Sequence, residues 1–312
     1  MISLSTADAE TKAYLANAEH FADLFNYWIY NGDEVIKPED LSELDTASIA
    51  LPYGNETMQP VQKFRDILKL YSAMQDGRAI YLILGIEAQS HINYAMPVRN
   101  MLYDAMNYAG QVKAVTNARR KAGTKMTSDE FLSGFCKDDH IMPVITLVVS
   151  FSSQPWDGSM SLHEMLGVTD ERLLAFVPDY RLNLLSPERI DEPDFAKFRT
   201  GLGAVMQFIK HQQDESMDWI AGVKRFEAVD RETASLIKTT TGTDISFDEE
   251  GEMINMCKAW DNSMQQAENR GKDTERINSI RKMMQKLNLT AKQAMDVLDI
   301  PAAEQPKYVA QV

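Results

Sequence analysis

Cysteine is scarce in this sequence, which contains two, Cys136 and Cys257. They stand far apart in the chain and lack the close spacing of metal-binding cysteines. We therefore expect both to be free thiols in a reducing cytoplasm.

Long apolar runs are also missing. The longest, AIYLILGI and IMPVITLVVSF, fall far short of the roughly 20 residues that a membrane span needs. The opening segment MISLSTADAETKAYL lacks the basic and apolar regions of a secretory signal. The sequence thus predicts a cytoplasmic protein without a membrane partner.

Basic residues are fewer than acidic ones: the sequence has 32 Lys and Arg residues and 46 Asp and Glu residues, which gives a net charge of −14. This balance argues against a general phosphate-binding surface, since nonspecific affinity for nucleic acid comes from basic side chains. Two local basic runs remain. Residues 113–125 carry five positive charges and no negative one, and residues 270–286 carry six positive and two negative. Either run could equally be a solvated helix face.

The most informative segment that is present is AIYLILGIEAQ, residues 79–89. Its apolar, partly β-branched run predicts a buried strand. Residues i and i+2 of a strand point to the same face, so Glu87 and Gln89 should lie side by side at its end. Another strand-like segment, VQKFRDILKLY (61–71), contains Asp66.

The remaining patterns predict an α/β fold, in which helices cover a mixed sheet and the C-terminal part is mainly helical. A helix over 7–30 should end at Asn31-Gly32, and Pro97 suits the first turn of a helix from Met96 to about Val115. Further helices are expected at 128–135, 194–213, 218–240, 253–286 and on both sides of Ile300-Pro301, with a strand at 141–151.

Several of these segments resemble one known family. The series RDILK (65–69), ILGIEAQS (83–90), YAMPVRNMLYDAMNY (94–108) and PVITLVVSFSSQPWDG (143–158) is similar to recombination-promoting nucleases, also called putative transposases. That family belongs to the PD-(D/E)XK nuclease superfamily. HFADLFNYWIYNG (20–32) resembles the first helix of bacterial members.

The resemblance implies a core of helix, three strands, helix and strand that hydrolyses phosphodiester bonds in DNA with Mg²⁺ or Mn²⁺. It implies that residues 1–215 form a nuclease-like domain and residues 216–312 a helical extension. Asp66 and Glu87 would be the metal ligands, and Gln89 would occupy the usual lysine position. Asp23, or Glu19 one turn earlier, would be the acid of the first helix. The chain departs from the superfamily pattern in lacking a Pro-Asp pair at Asp66 and in replacing Lys by Gln.

Nucleic-acid contacts are expected on and after the helix that follows the catalytic strand. Arg99 and Tyr103 are one helical turn apart and share a face, where they could approach the scissile phosphate or brace the strand. The basic run adds five candidates, which we expect at the rim of the cleft: Lys113, Arg119, Arg120, Lys121 and Lys125.

The chemistry favours the same residue types. Mg²⁺ takes oxygen ligands and usually one or two protein carboxylates. A lysine beside the nucleophile would add positive charge, whereas Gln89 can only orient or polarise a water. The missing lysine and the acidic balance support an alternative, a catalytically weak or inactive nuclease-fold protein that acts through interactions. Action on RNA, a homo-oligomer, and roles in recombination, mobile elements or defence all stay open.

Overall fold

The computed structural model describes residues 4–312 apart from 45–46, 51–60, 65–66, 76–77, 90, 124, 215, 244, 246–251 and 310. For residues 4–6, 47–50, 61–64, 73–75, 78–85, 87, 89 and 267 the description covers the backbone alone. Within this part of the chain the fold is mixed α/β with a mainly helical C-terminal region, as the sequence predicts.

The helices are, in chain order, α1 Leu4–Ala16, α2 Ala18–Tyr30, α3 Met96–Ala122, α4 Ser128–Ser133, α5 Leu162–Met165, α6 Glu171–Leu174, α7 Leu202–His211, α8 Arg231–Thr241, α9 Met256–Leu287, α10 Ala291–Val297 and α11 Gln305–Val309. Short 3₁₀ helices occupy Pro38–Asp40, Pro187–Arg189, Glu192–Lys197, Asp218–Gly222 and Lys224–Glu227.

The strands are β1 Leu41–Glu43, β2 Ala47–Ala50, β3 Val61–Phe64, β4 Ile67–Gln75, β5 Arg78–Gln89, β6 Val144–Ser150, β7 Asn183–Leu185, β8 Val229–Asp230 and β9 Met253–Ile254. A five-stranded sheet has the order β1-β4-β5-β6-β7. In it β4 runs antiparallel to β1 and β5, whereas β5, β6 and β7 are parallel. Two small sheets pair β2 with β3 and β8 with β9.

Polar residues set the limits of the first helices. The predicted helix over 7–30 is divided at Asn17, whose side-chain oxygen accepts a hydrogen bond from the amide of Glu19 at 2.8 Å and so begins α2. Helix α2 ends at Asn31 in the left-handed conformation, with φ of 55°, as predicted. Helix α3 is one to two turns longer than expected and ends at Gly123, which has φ of 62°.

The five-stranded sheet is covered on both faces. On one face Ile67, Ile86 and Leu147 join a large core with α1, α2, α7 and α8. On the other face Val148 packs with Met96 of α3 and with Trp156. Because parallel strands need a crossover connection, α3 links β5 to β6 across this second face.

The large core extends well past residue 215. It runs from Tyr14 to Ala259 and includes Phe226 and Leu236, so the buried side chains that the structure describes between Ile220 and Ala259 pack with the sheet and its helices. A second hydrophobic cluster joins the end of α9 to α10 and α11, with Ile280 and Met295 fully buried in it. The division at residue 215 stays a prediction, but the hydrophobic clusters divide between 259 and 277.

Among the described residues no helix is both long enough and apolar enough to cross a membrane.

Two truncations distinguish these divisions. A chain ending at Lys272 keeps the whole large core, and we expect it to unfold cooperatively with a midpoint within a few degrees of the full chain. A chain ending at residue 214 loses Phe226, Ala234, Leu236 and Ile237, and each large buried side chain is worth about 2–5 kcal/mol. We therefore expect it not to fold. Circular dichroism during thermal unfolding measures both, and a folded shorter chain would support the division at 215.

Candidate functional site

The end of β5 lies in the middle of the sheet. The antiparallel ladder with β4 ends at Ile67 and Ile86, and the parallel ladder with β6 pairs Glu87 with Val148 and Gln89 with Ser150. The strand that carries the candidate motif is therefore paired on both sides up to Ile86, and among the described residues its last three residues are paired with β6 alone.

Strand alternation assigns the two motif positions to one face. Ile86 and Ala88 belong to the large core, whereas Val148, the register partner of position 87, packs against Met96 of α3. Positions 87 and 89 therefore fall on the α3 face of the sheet, as predicted for residues two apart on a strand. Asp66 and the side chains of Glu87 and Gln89 lie outside the described residues.

A buried hydrogen-bond network fixes α3 against this face. The carboxylate of Asp104, 8 % exposed, accepts hydrogen bonds from the Thr146 hydroxyl at 2.7 Å and from the Tyr180 phenol at 2.6 Å. The side-chain amide of Asn183 donates to the Thr146 carbonyl at 3.0 Å. Helix α3, β6 and β7 are thus joined by polar contacts that specify one position of the helix.

Asn100 lies on the same face of α3 and is 1 % exposed. It is one helical turn from Met96, which packs on Val148, and one turn from Asp104, which contacts Thr146. Among the residues that the structure describes, neither polar atom of its amide has a hydrogen-bond partner, and the indole nitrogen of Trp156, also buried on this face, has none either. Each such buried group costs about 1–3 kcal/mol if it stays unsatisfied.

These observations fit a hydrated cation. Asp66, Glu87 and Gln89 supply oxygen donors, the set that Mg²⁺ prefers. The two buried, unpartnered groups near the end of β5 would be satisfied by ordered water, which Mg²⁺ retains in its coordination shell. Among the described side chains, no group of three or more His, Cys, Asp or Glu could hold a metal ion; Asp66 and Glu87 are not in that set.

Arg99 and Tyr103 share a face of α3, as expected. The Arg99 Nε donates a hydrogen bond to the Tyr103 hydroxyl at 3.1 Å, and its guanidinium lies 5.5 Å from the ring centroid. Tyr103 is 7 % exposed and holds the Arg99 side chain through this hydrogen bond. Arg99 is half-buried, so part of its side chain is accessible to a ligand.

Asp23 accepts hydrogen bonds from residues far along the chain. It is 5 % exposed, and its two oxygens accept hydrogen bonds from the amides of Arg199 and Thr200, both at 2.9 Å, and from the Thr200 hydroxyl at 2.6 Å. These residues lead into α7, on the face of the sheet that carries the large core. Asp23 thus forms its hydrogen bonds on the side of the large core, whereas positions 87 and 89 are on the α3 face of the sheet. Glu19, the alternative acid, is exposed.

The basic run lies away from the end of β5. Helix α3 begins beside Val148 and passes the start of β6, where the Val144 amide donates to the Tyr108 hydroxyl at 3.1 Å. Lys113 and the basic residues after it continue beyond that end of the sheet, so the expected position at the rim of the cleft is corrected. Arg119 forms an ion pair with Asp139, which lowers the pKa of that carboxyl group.

Sequence reasoning missed Asp104, Thr146, Tyr180 and Asn100. The apolar residues of α3 do not by themselves define its inward face, because the buried set includes the polar side chains of Asn100 and Asp104. The available signal was the four-residue spacing of Met96, Asn100, Asp104 and Tyr108, which places them in one row.

Replacing Asp23 by Asn tests its two roles. The change removes the charge that three donors share, and hydrogen bonds to charged groups contribute about 1.5–3 kcal/mol. We expect the free energy of unfolding in urea to fall by about 2–3 kcal/mol. The control Glu19→Gln, at an exposed position, should change it by less than about 0.5 kcal/mol. Unchanged stability in Asp23→Asn together with lost activity would restore the catalytic assignment.

No family model, curated protein or solved structure matches this chain.

Proposed function

We propose that this protein is a Mg²⁺- or Mn²⁺-dependent endonuclease that hydrolyses phosphodiester bonds in DNA. In this proposal Asp66 and Glu87 hold the cation, and the Gln89 amide orients the attacking water. The proposal includes a PD-(D/E)XK core, of the recombination-promoting nuclease type, within the mixed sheet.

The observation that carries the proposal is the register of β4 and β5. Their antiparallel ladder ends with Ile67 opposite Ile86. The residue before Ile67 is Asp66, and the residue after Ile86 is Glu87. Asp66 and Glu87 therefore adjoin the last pair of this ladder in the sequence, and in the proposal their carboxylates share the cation. Like charges close together repel each other, and a shared cation turns this cost into an attraction.

The order of elements supports the same core. Helix α2 precedes three sheet strands, β1, β4 and β5, and then come α3 and the parallel strand β6. This is the succession of helix, three strands, helix and strand that the resemblance implies. The additional β2–β3 hairpin lies between β1 and β4 in the chain and contacts α3.

A bound cation would neutralise the phosphate oxygens and supply a more acidic water. The chain itself has three tasks. It holds Glu87 near the end of β5, where that strand is paired with β6, it fixes α3 through Asp104, and it presents a half-buried Arg99 that is hydrogen-bonded to Tyr103. With Gln in place of Lys, less charge is available to the transition state, so we expect a slow enzyme.

An interaction protein that keeps the nuclease fold is the second candidate. One observation favours it: Phe131 and Leu132, next to the basic run, are 70 % and 83 % exposed. Large exposed apolar side chains beside one another are typical of protein-binding surfaces. Such a protein would need no cation at β5.

Plasmid cleavage tests the proposal directly. We expect wild-type protein to cut supercoiled DNA only with Mg²⁺ or Mn²⁺, and Asp66→Ala and Glu87→Ala to lose at least about 100-fold in rate, because metal-assisted charge stabilisation is worth several kcal/mol. Glu171→Ala, which removes an exposed carboxylate on α6, is the matched control and should cut normally. Full cleavage by Glu87→Ala would assign the activity to another site or to a contaminant.

Gln89→Lys examines the departure from the superfamily pattern. It places a positive charge beside the two carboxylates, so we expect faster cleavage at saturating Mg²⁺. Gln89→Met, of similar length and without charge, should be slower than wild type. Equal rates in all three proteins would remove Gln89 from the proposed site.

Thermal unfolding separates the two candidate functions without any nucleic acid. Binding of a cation to the folded state alone raises the midpoint as its concentration rises. We expect Mn²⁺ to raise the midpoint of wild type and not that of Asp66→Asn. In EDTA we expect Asp66→Asn to have a higher unfolding midpoint than wild type, because the substitution removes the repulsion between the two carboxylates. A wild type that does not respond to Mn²⁺ would favour the interaction protein.

A further inference from the structure

Helix α3 differs from the rest of this acidic chain in its charge. Its 27 residues include one acid, Asp104, which is buried and hydrogen-bonded to Thr146 and Tyr180. The same helix carries five basic residues. Its exposed surface therefore has no negative charge in a protein whose net charge is −14.

The exposed cations are concentrated at the far end of the helix. Lys113, Arg120 and Lys121 are exposed, as is Lys125 just beyond Gly123, and none of the four forms an ion pair with a described residue. Arg119 is different, because Asp139 neutralises it. Between the start of α3 and Lys113 the exposed positions are small or apolar, Val98, Leu102, Ala105 and Gly110.

The distance between this group and the end of β5 follows from helix geometry. Lys113 and Lys121 are 17 and 25 residues after Met96, which packs on Val148 beside position 87. At a rise of 1.5 Å per residue they lie about 26 and 38 Å along the helix. Duplex DNA rises about 3.4 Å per base pair, so this span equals about 7–11 base pairs, close to one turn.

We propose that the exposed face of α3 is a docking surface for one turn of duplex DNA, with its far phosphates bound by Lys113, Arg120, Lys121 and Lys125. This inference rests on the proposed function and adds a substrate class to it, a continuous duplex that extends about 7–11 base pairs from the cleaved phosphate. Shorter duplexes reach the end of β5 but not the four cations.

The chemistry of the face selects a duplex over a single strand. A duplex is stiff over lengths far longer than one turn and keeps its phosphates at a fixed distance from the cleaved bond. Proteins that hold single strands use exposed aromatic side chains on which bases stack. On α3 itself no described aromatic side chain is exposed, since Tyr103 is buried and Tyr108 half-buried, and the exposed Tyr94 and Phe131 lie outside the helix.

Binding measured in EDTA tests the inference independently of the cation. Fluorescence anisotropy with the full chain and labelled duplexes of 6, 8, 10, 12, 16 and 20 base pairs should show affinity that rises steeply up to about 12 base pairs and then flattens. The quadruple variant Lys113→Gln, Arg120→Gln, Lys121→Gln and Lys125→Gln should lose this dependence on length. Its salt dependence should fall by about three to four units of log–log slope, at about 0.9 unit for each phosphate contact.

A matched variant controls for net charge. Lys224→Gln, Lys258→Gln, Lys282→Gln and Lys286→Gln remove four exposed cations elsewhere, and two of these belong to the basic run at 270–286. We expect this variant to bind 12-base-pair duplex like wild type. A 20-nucleotide single strand should bind wild type at least about tenfold more weakly than the 20-base-pair duplex, because a flexible chain pays an ordering cost to reach both ends of the helix.

The results separate this inference from the proposed function. Metal-dependent cleavage by wild type, with binding that depends neither on duplex length nor on the four residues, overturns the inference and leaves the endonuclease proposal standing. Equal loss of binding in both quadruple variants overturns it as well, because net charge alone would then account for affinity. A wild type that neither binds nor cleaves DNA ends both proposals and leaves the basic end of α3, with Phe131 and Leu132, to a protein partner.

Discussion

The rest of the structure depends on the central position of β5. Its backbone is paired with β4 from residue 78 to 86 and with β6 from residue 83 to 89, so residues 83–86 have a partner strand on both sides. Both faces of the sheet around it are packed, one by the large core and the other by Met96 and Trp156. A strand enclosed in this way can place polar groups only where it ends, because buried groups without partners are costly.

The parallel pairing of β5 with β6 requires a crossover connection, and that connection, α3, has to keep a fixed position on the sheet. Polar contacts help to fix α3, since Asp104 contacts both β6 and the segment before β7. An apolar helix can slide by a turn with little loss of contact, whereas displaced buried hydrogen bonds leave unsatisfied groups. The hydrogen-bond network of Asp104 therefore favours one position of α3 beside the end of β5.

The sequence was sufficient to predict local features that are marked by a regular spacing of apolar residues or by a residue that begins or ends a helix. The end of α2 at Asn31, the first turn of α3 at Pro97 and the two C-terminal helices on either side of Pro301 are confirmed. The apolar run that became β5 is another such case. In each, neighbouring residues alone decide the backbone conformation.

Predictions that depended on distant residues succeeded less often. The segment predicted as one strand, 61–71, contains β3 and β4, which pair with different partners. The catalytic role of Asp23 stays a prediction, and the contacts of its carboxylate with the amides of Arg199 and Thr200, far along the chain, are not part of any local pattern. The basic run follows the catalytic strand in sequence, yet the direction of α3 carries it to the other end of the sheet. None of these partners is visible in a local pattern.

The middle of α9 has a consequence for motion within the molecule. From Met264 to Lys272 every described side chain is exposed, one ion pair joins Glu268 to Lys272, and a side chain added at Gly271 would meet only open space. Helical turns whose side chains are exposed are marginal in water, and glycine weakens them by about 1 kcal/mol relative to alanine. Local opening of these turns is therefore expected to cost less free energy than opening of either hydrophobic cluster.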